Sequence, residues 1–293
     1  MLAALAASIF CIIVPNTQPT PWRDVVGKWA GASATAIAPN WAVTARHNSH
    51  DHVTFPFKFN GVHYDVVAVH PHPSADLMLL EINPATPLPM WACLGGPVPS
   101  GINNAFHVQT GGFGRQAGAL INGQPGSGYC WGTKGKAWGE NDVYRVGSFL
   151  TAVFDQVSPY PGECAAAEGD SGGPLLTLQQ GRPVVVGMWV GATDSCAPCG
   201  PSNCPNGASW FGLHSYALAL TEPQFKKWIM RLVQPGDANL DGRTDFADLV
   251  IVLDQWLRQG LTLEGDVNLD GVVDFADYNV ILSHFNTSLN CAP

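Results

Sequence analysis

The sequence predicts a mainly β fold, a barrel or sandwich, followed by a short acidic appendage, and three observations carry this. The 293 residues include 32 Gly and 23 Pro but only 13% charged residues, the punctuation of many short strands joined by tight turns. Hydrophobic residues make up 46% of the chain, ample for a buried core in one large domain or two unequal ones. The net charge of −9 sits at one end: residues 236–293 hold ten Asp or Glu against two Arg, a net −8, which leaves −1 for the first 235 residues. No basic stripe interleaved with aromatics occurs, which argues against a nucleic-acid partner.

The chain opens with "MLAALAASIFCIIVPNTQPTP", whose apolar stretch has the length of a secretory h-region and is short for a bilayer span. Residues 1–20 are therefore expected to be a signal peptide, and the mature protein to be secreted or extracellular, possessing no transmembrane span once the leader is gone. The flanks depart from the usual pattern, since no Lys or Arg precedes Arg23 and no A-x-A site follows. Loss of Cys11 with the leader leaves Cys93, Cys130, Cys164, Cys196, Cys199, Cys204 and Cys291, an odd set in which one thiol stays single or pairs outside the chain.

The next segment, "SATAIAPNWAVTARHNSHDH", alternates small and apolar residues on either side of Pro39-Asn40, the pattern of two strands and a turn. His47 then falls where the second strand gives way to loop, a position that presents a ring at a sheet edge. Taken alone, such a histidine reads as a surface or satisfied core residue. In "HPHPSADLMLLEI", Asp76 stands at the mouth of an apolar strand. A carboxylate there needs a donor, and a histidine Nδ1–H is a suitable one; taken alone, the residue reads as a turn cap after Pro73 and Ser74. "ECAAAEGDSGGPLL" contains Ser171 between glycines, by itself no more than a hydroxyl in a flexible turn.

Together, in the order His, Asp, Ser, these segments supply base, orienting carboxylate and nucleophile. "TARH", "ADLMLLEI" and "GDSGGP" resemble the three signature blocks of the trypsin-like, chymotrypsin-fold serine proteases. The resemblance covers about residues 25 to 234, with "GGFGR" similar to the family's Gly-aromatic-Gly strand and "EPQFKKWIMRLV" similar to its closing helix. It implies a double six-stranded antiparallel β-barrel over residues 21–235. It also implies a secreted endopeptidase acting on protein or peptide substrates, with Ser171 attacking the carbonyl, His47 shuttling the proton and Asp76 holding the ring. The N–H groups of Gly169 and Ser171 would form the oxyanion hole. Ala165 would form the base of the specificity pocket beside Ala166, and a neutral or apolar side chain is expected there rather than Arg or Lys. "GDSGG" also satisfies the G-x-S-x-G elbow of α/β-hydrolases, which takes its acid and His after the Ser; Asp194 and His214 are candidates, but no strand-helix alternation surrounds Ser171.

Several features depart from the family pattern. No Ile-Val-Gly-Gly segment supplies a new α-amino group for Asp170, "DVVGKWAG" lying too close to His47, so a latent protein that works only as an attachment module is the alternative reading. Asn48 follows His47 where many relatives have Cys. Cys164 is farther from Ser171 than the family's pocket cysteine. "CAPCGPSNC", Cys196 to Cys204, has C-x-x-C spacing that suits zinc with a ligand such as Cys164, but loop cysteines of an exported chain are expected to form disulfides. "HNSHDH" also suggests a metal, yet His47 is better used beside Ser171, which leaves His50 and His52 as surface residues.

After Pro235-Gly236, "GDANLDGRTDFADLVIVL" returns 29 residues later as "GDVNLDGVVDFADYNVIL". The tail, 236–293, is a duplication. Oxygen side chains recur at positions 1, 3, 5, 9 and 12 with Gly at 6, a calcium-loop pattern with Asp at 12. One ion is expected from Asp237, Asn239, Asp241, Asp245 and Asp248 with the Arg243 carbonyl. A second is expected from Asp266, Asn268, Asp270, Asp274 and Asp277 with the Val272 carbonyl. Two Ca2+ would neutralise the carboxylates and help fold so small a module; no cofactor is expected for catalysis. The repeat resembles a type I dockerin, a small helical, EF-hand-like domain, which implies a cohesin-like or cell-surface partner. Positions 10 and 11, where dockerins carry recognition residues, are Phe246-Ala247 and Phe275-Ala276.

Overall fold

The computed structural model describes residues 25–48, 55–121, 127–192, 204, 207–260 and 262–289. The expected leader, with Cys11, His50, His52, Asp194, Cys196, Cys199 and Cys291, lies outside the described residues. The chain divides into two compact units, Met1–Thr221 and Glu222–Pro293.

In the first unit, β1 (Val26–Trp29), β2 (Ala32–Ala38), β3 (Trp41–Thr44), β4 (Phe57–Phe59), β5 (Val62–Tyr64), β6 (Val66–Pro71) and β7 (Met78–Ile82) form one antiparallel sheet. Its order is β5-β4-β1-β2-β3-β7-β6, and it is nearly closed. It has seven strands where six were expected, because Asn60 and Gly61 both take positive φ, the I′-type turn that closes the β4–β5 hairpin. Trp29, Phe57, Phe59, Leu80 and Ile82 fill its core. Strand β2 is buried along its whole length: Ala34 and Ala36 belong to that core, while Ser33 and Thr35 bond to the loop around Ser171.

Along the chain follow β8 (Gly101–Gly112), β9 (Arg115–Ile121), β10 (Gly128–Lys134), β11 (Ala137–Val146), β12 (Phe149–Val153), β13 (Pro174–Gln179), β14 (Arg182–Ala192), β15 (Ala208–Trp210) and β16 (His214–Ala219). Six of them close a barrel in the order β11-β12-β16-β14-β13-β8, and the other three form a sheet, β15-β10-β9. Val108, Val143, Leu150, Leu175, Val186 and Trp189 pack inside the barrel. A disulfide joins Cys130 to Cys204, so Cys204 follows the disulfide rather than the zinc reading of its cluster. Two β-barrels, closed or nearly so, with few helices are compatible with a chymotrypsin-like fold.

The second unit contains α1 (Pro223–Val233), β17 (Arg243–Thr244), α2 (Phe246–Asp254), α3 (Phe275–Ser283) and β18 (Thr287–Ser288). Ala238, Val252, Val267, Val273 and Ile281 form its core. Helix α1, which the resemblance assigned to the end of the first domain, groups with this unit, upstream of the Pro235-Gly236 junction. The reason is polar: Lys226 Nζ donates to the Leu240 carbonyl at 3.1 Å, and Lys227 Nζ donates to that of Leu263. Gln234 Nε2 donates to the hydroxyls of Thr244 and Thr287 at 3.0 and 2.7 Å. Among the described residues no helix is long and apolar enough to cross a membrane.

Candidate active site and tail loops

Strand pairing brings His47 and Asp76 together. In the β3–β7 ladder Thr44 stands opposite Met78, so the residues just past the end of β3 meet those just before β7. The chain leaves β3 through a single 3-10 turn, Arg46–Asn48, anchored where Arg46 Nη1 donates to the His72 carbonyl at 2.9 Å. The His47 backbone N–H then donates to Asp76 Oδ1 at 2.9 Å, and its Nδ1 lies 2.6 Å from Asp76 Oδ2. An ionised carboxylate only accepts, so Nδ1 carries the hydrogen. This leaves Nε2 as the acceptor facing Ser171 Oγ at 2.8 Å. Burial works to raise the Asp76 pKa, but the bonds from His47 outweigh it and hold the carboxyl below its ordinary value.

Ser171 is held in a tight turn before β13. Gly173 N donates to the Asp170 carbonyl at 2.7 Å, and Gly172 N donates to the Trp189 carbonyl of β14 at 2.9 Å. Gly172 has φ +91°, and a Cβ there would lie 2.0 Å from the Ser33 carbonyl oxygen, so only glycine lets the loop press against β2. Across that contact Ser33 N donates to the Ser171 carbonyl at 3.1 Å, and Thr35 Oγ1 donates to that of Gly172 at 2.8 Å. Ser33 Oγ donates to the Gly169 carbonyl at 2.9 Å and accepts from Phe113 N at 2.8 Å.

Two neighbours of Ser171 complete the loop. The Asp170 carboxylate is fully buried and accepts from Gly114 N at 2.8 Å and Ala167 N at 3.0 Å; burial pushes its carboxyl up to about 7 against those bonds. A Cβ on Gly114 would meet the Asp170 carboxylate at 2.4 Å, so the "GGFGR" segment serves as its cradle. On the other side, Arg115 N donates to the Glu168 carbonyl at 3.0 Å, and the Glu168 carboxylate takes Arg115 Nε and Lys134 Nζ, each at 2.8 Å. In a trans peptide the N–H points opposite to the C=O, so anchoring the Glu168 carbonyl turns the Gly169 N–H the other way. Among the described residues neither Gly169 N nor Ser171 N donates within the chain. Ser33, Thr35, Arg115 and Lys134 were missed as site residues in the sequence, which offers no local signal for them.

No family model matches this chain, and no curated protein matches it.

The G-x-S-x-G elbow needs a histidine after the nucleophile, whereas the ring bonded to Ser171 is His47, which precedes it. Ala165 and Ala166, 6% and 4% exposed, lie in the segment leading to Ser171. Ala165 packs with Tyr129, Trp131 and Phe154, an apolar setting without a counter-charge on the alanines. Nearby, buried Glu163 accepts from Asn141 Nδ2 at 2.9 Å, Asp155 N at 3.2 Å and Ser158 Oγ at 2.7 Å. Burial pushes its carboxyl from 4.5 up to about 7, against the Ser158 and Asp155 bonds. With the folded pKa above the unfolded one, the native chain keeps a proton that the unfolded chain releases, so this group lowers stability as pH rises from 4.5 to about 7. Glu163→Gln, which keeps an acceptor for Asn141 and gains a donor for Ser158, is expected to flatten that slope. Urea unfolding of both proteins at about pH 4 and pH 8 should show the variant gaining on wild type only at the higher pH. Equal differences at both would remove Glu163 as the cause.

In the second unit the two acidic loops repeat bond for bond. Asp237 accepts from Asp241 N and Gly242 N at 3.0 and 2.9 Å; Asp266 accepts from Asp270 N and Gly271 N, both at 3.1 Å. Asp248 receives Ala238 N, Asn239 N and Asp245 N, and Asp277 receives Val267 N, Asn268 N and Asp274 N. Asp245 and Asp274 cap α2 and α3. The carbonyls of Gly242 and Thr244 accept from Leu289 N and Asn286 N, and those of Gly271 and Val273 from Gly260 N and Leu257 N. Carbonyls alternate direction along extended chain, so Arg243 and Val272, lying between those pairs, turn theirs away from the clasp. Among the described residues no three His, Cys, Asp or Glu side chains form a metal cluster, so a cation here depends on the mixed set with Asn239, Asn268 and the two carbonyls.

Proposed function

We propose that the first unit is a serine endopeptidase of the trypsin-like, chymotrypsin-fold type. The observation that carries this is the unbroken path from Asp76 through His47 to Ser171, 2.6 and 2.8 Å long. His47 Nε2 takes the Ser171 proton as Oγ attacks a peptide carbonyl, and the imidazolium formed is stabilised by Asp76. The carbonyl oxygen, gaining charge, is met by the undonated N–H groups of Gly169 and Ser171. His47 then returns the proton to the leaving amine, and water repeats the cycle on the acyl-enzyme. The alanines at 165 and 166 suit a neutral or apolar side chain before the scissile bond. The direct test is casein digestion together with covalent labelling of Ser171 by a fluorophosphonate; a folded chain that neither cleaves nor labels would instead support the latent reading.

For the second unit we propose a dockerin-like, calcium-stabilised attachment module. Asp237, Asn239, Asp241, Asp245, Asp248 and the Arg243 carbonyl fit one Ca2+ by donor chemistry, and Asp266, Asn268, Asp270, Asp274, Asp277 and the Val272 carbonyl fit another. When bound, each ion neutralises its loop's carboxylates. Phe246, Val250 and Leu253, at helical spacing along α2, are 65%, 48% and 53% exposed, an apolar stripe that suits a protein partner. Addition of about 1 mM Ca2+ to chelator-treated protein is expected to raise the melting temperature of this unit by 10 °C or more. Asp248→Ala with Asp277→Ala should erase the response. An unchanged melting curve in wild type would refute the metal.

A further inference from the structure

We infer that Asn48 is a positioning residue for this site, holding the histidine-bearing turn to the nucleophile through a closed ring of hydrogen bonds; the inference rests on the serine-hydrolase reading of the first unit. His47 and Ser171 come from different β-layers, His47 from the seven-stranded sheet and Ser171 from the closed barrel. Their separation must therefore be fixed by whatever ties the two layers at this point.

Ser33 and Thr35 join β2 to the Ser171 loop, and Asn48 extends that tie to the histidine-bearing turn. It is the last residue of the 3-10 turn, adjacent to His47 and 7% exposed. Its Nδ2 donates to the Ser171 carbonyl at 3.0 Å and to Thr44 Oγ1 at 3.0 Å. Thr44 Oγ1 in turn donates to the Ser33 carbonyl at 2.8 Å, and Ser33 N donates to the same Ser171 carbonyl at 3.1 Å. The ring Asn48–Thr44–Ser33–Ser171 is closed, and Thr44 and Ser33 have no solvent exposure. Both hydrogens of the Asn48 amide are spent, and both lone pairs of the Ser171 carbonyl are met.

The geometry follows from this. Asp76 holds the His47 backbone N–H and the ring from the histidine's own sheet, while Asn48 holds the residue after His47 to the Ser171 main chain across the layers, and together they set the Nε2–Oγ distance. A carboxamide is needed because one planar group, 7% exposed, has to donate twice, to a hydroxyl and a carbonyl. An apolar side chain of similar size leaves the Ser171 carbonyl with one donor and lets the turn drift, and a displacement of about 1 Å at such a site costs roughly 100-fold in rate.

The test compares wild type with Asn48→Leu, similar in size but without donors, and Asn48→Gln, which keeps the carboxamide. Active sites are counted by fluorophosphonate titration so that misfolded material drops out. Asn48→Leu is expected to lower kcat per titrated site roughly 10- to 100-fold with KM within about twofold, and Asn48→Gln to recover part of the loss. Should Asn48→Leu fail to fold, Thr44→Val opens the same ring from its other side and is expected to move kcat in the same direction. Wild-type kcat per site in Asn48→Leu or Thr44→Val, whatever the melting temperature does, overturns the inference while leaving the serine mechanism standing. A folded wild type that neither labels nor cleaves overturns both.

Discussion

Ser171→Ala is expected to lower kcat by roughly 10^4- to 10^6-fold while KM changes little. Among the described residues the hydroxyl is the group within bonding distance of His47 Nε2 that can become the attacking atom, and its removal leaves the turn intact. The backbone bonds of Gly172, Gly173 and Ser33 that shape the loop do not involve the side chain. The folded state and substrate binding are therefore retained, and what residual rate remains comes from the N–H groups of Gly169 and Ser171 acting on bound substrate and water. The measurement is steady-state hydrolysis of casein or a neutral-residue peptide substrate beside a melting curve. A variant that keeps even a tenth of wild-type activity would remove Ser171 from the mechanism.

Asp76→Asn should cost about 10^4-fold in kcat, again at nearly unchanged stability. The substitution is almost isosteric, and an amide oxygen can still accept from the His47 backbone N–H, which now bonds Asp76 Oδ1 at 2.9 Å. The amide nitrogen, however, then faces Nδ1. As a donor it forces Nδ1 to accept, which shifts the ring hydrogen to Nε2, and Nε2 can no longer take the Ser171 proton. The same change removes the charge that would stabilise the imidazolium. Because Asp76 ionises below its ordinary value, the wild-type acid limb is not set by this carboxyl. The variant should be slow across the neutral range rather than shifted along the pH axis. A loss under tenfold would mean that the bond between His47 and Asp76 is structural only.

The candidate site was legible where it depends on short segments. "TARH", "ADLMLLEI" and "GDSGGP" each encode a strand end or a tight turn within a few residues, so their types and spacing already implied how each would present its side chain. The duplicated tail was legible for the same reason, since a loop that wraps its own carboxylates must write its donors at fixed intervals.

The features that stayed hidden depend on partners far apart in the chain. Asn48 read only as a missing cysteine, because its value lies in the Ser171 carbonyl 123 residues away. "GGFGR" read as a strand motif; Gly112 and Gly114 take their meaning from the buried Asp170 carboxylate, and Gly111 from the Trp138 ring. Helix α1 read as the closing helix of the first domain, whereas it groups with the second unit, where Lys226, Lys227 and Gln234 bond to Leu240, Leu263, Thr244 and Thr287.

By itself the sequence determined a mainly β chain with an acidic repeat tail and the identity of the three residues that meet at His47, because strand period, turn chemistry and loop donor spacing are local properties. Only the tertiary structure decided what holds those residues at bonding distance, which glycines are sterically required and where the second unit begins. Those depend on which distant backbone carbonyls and buried charges need a partner once the layers have packed.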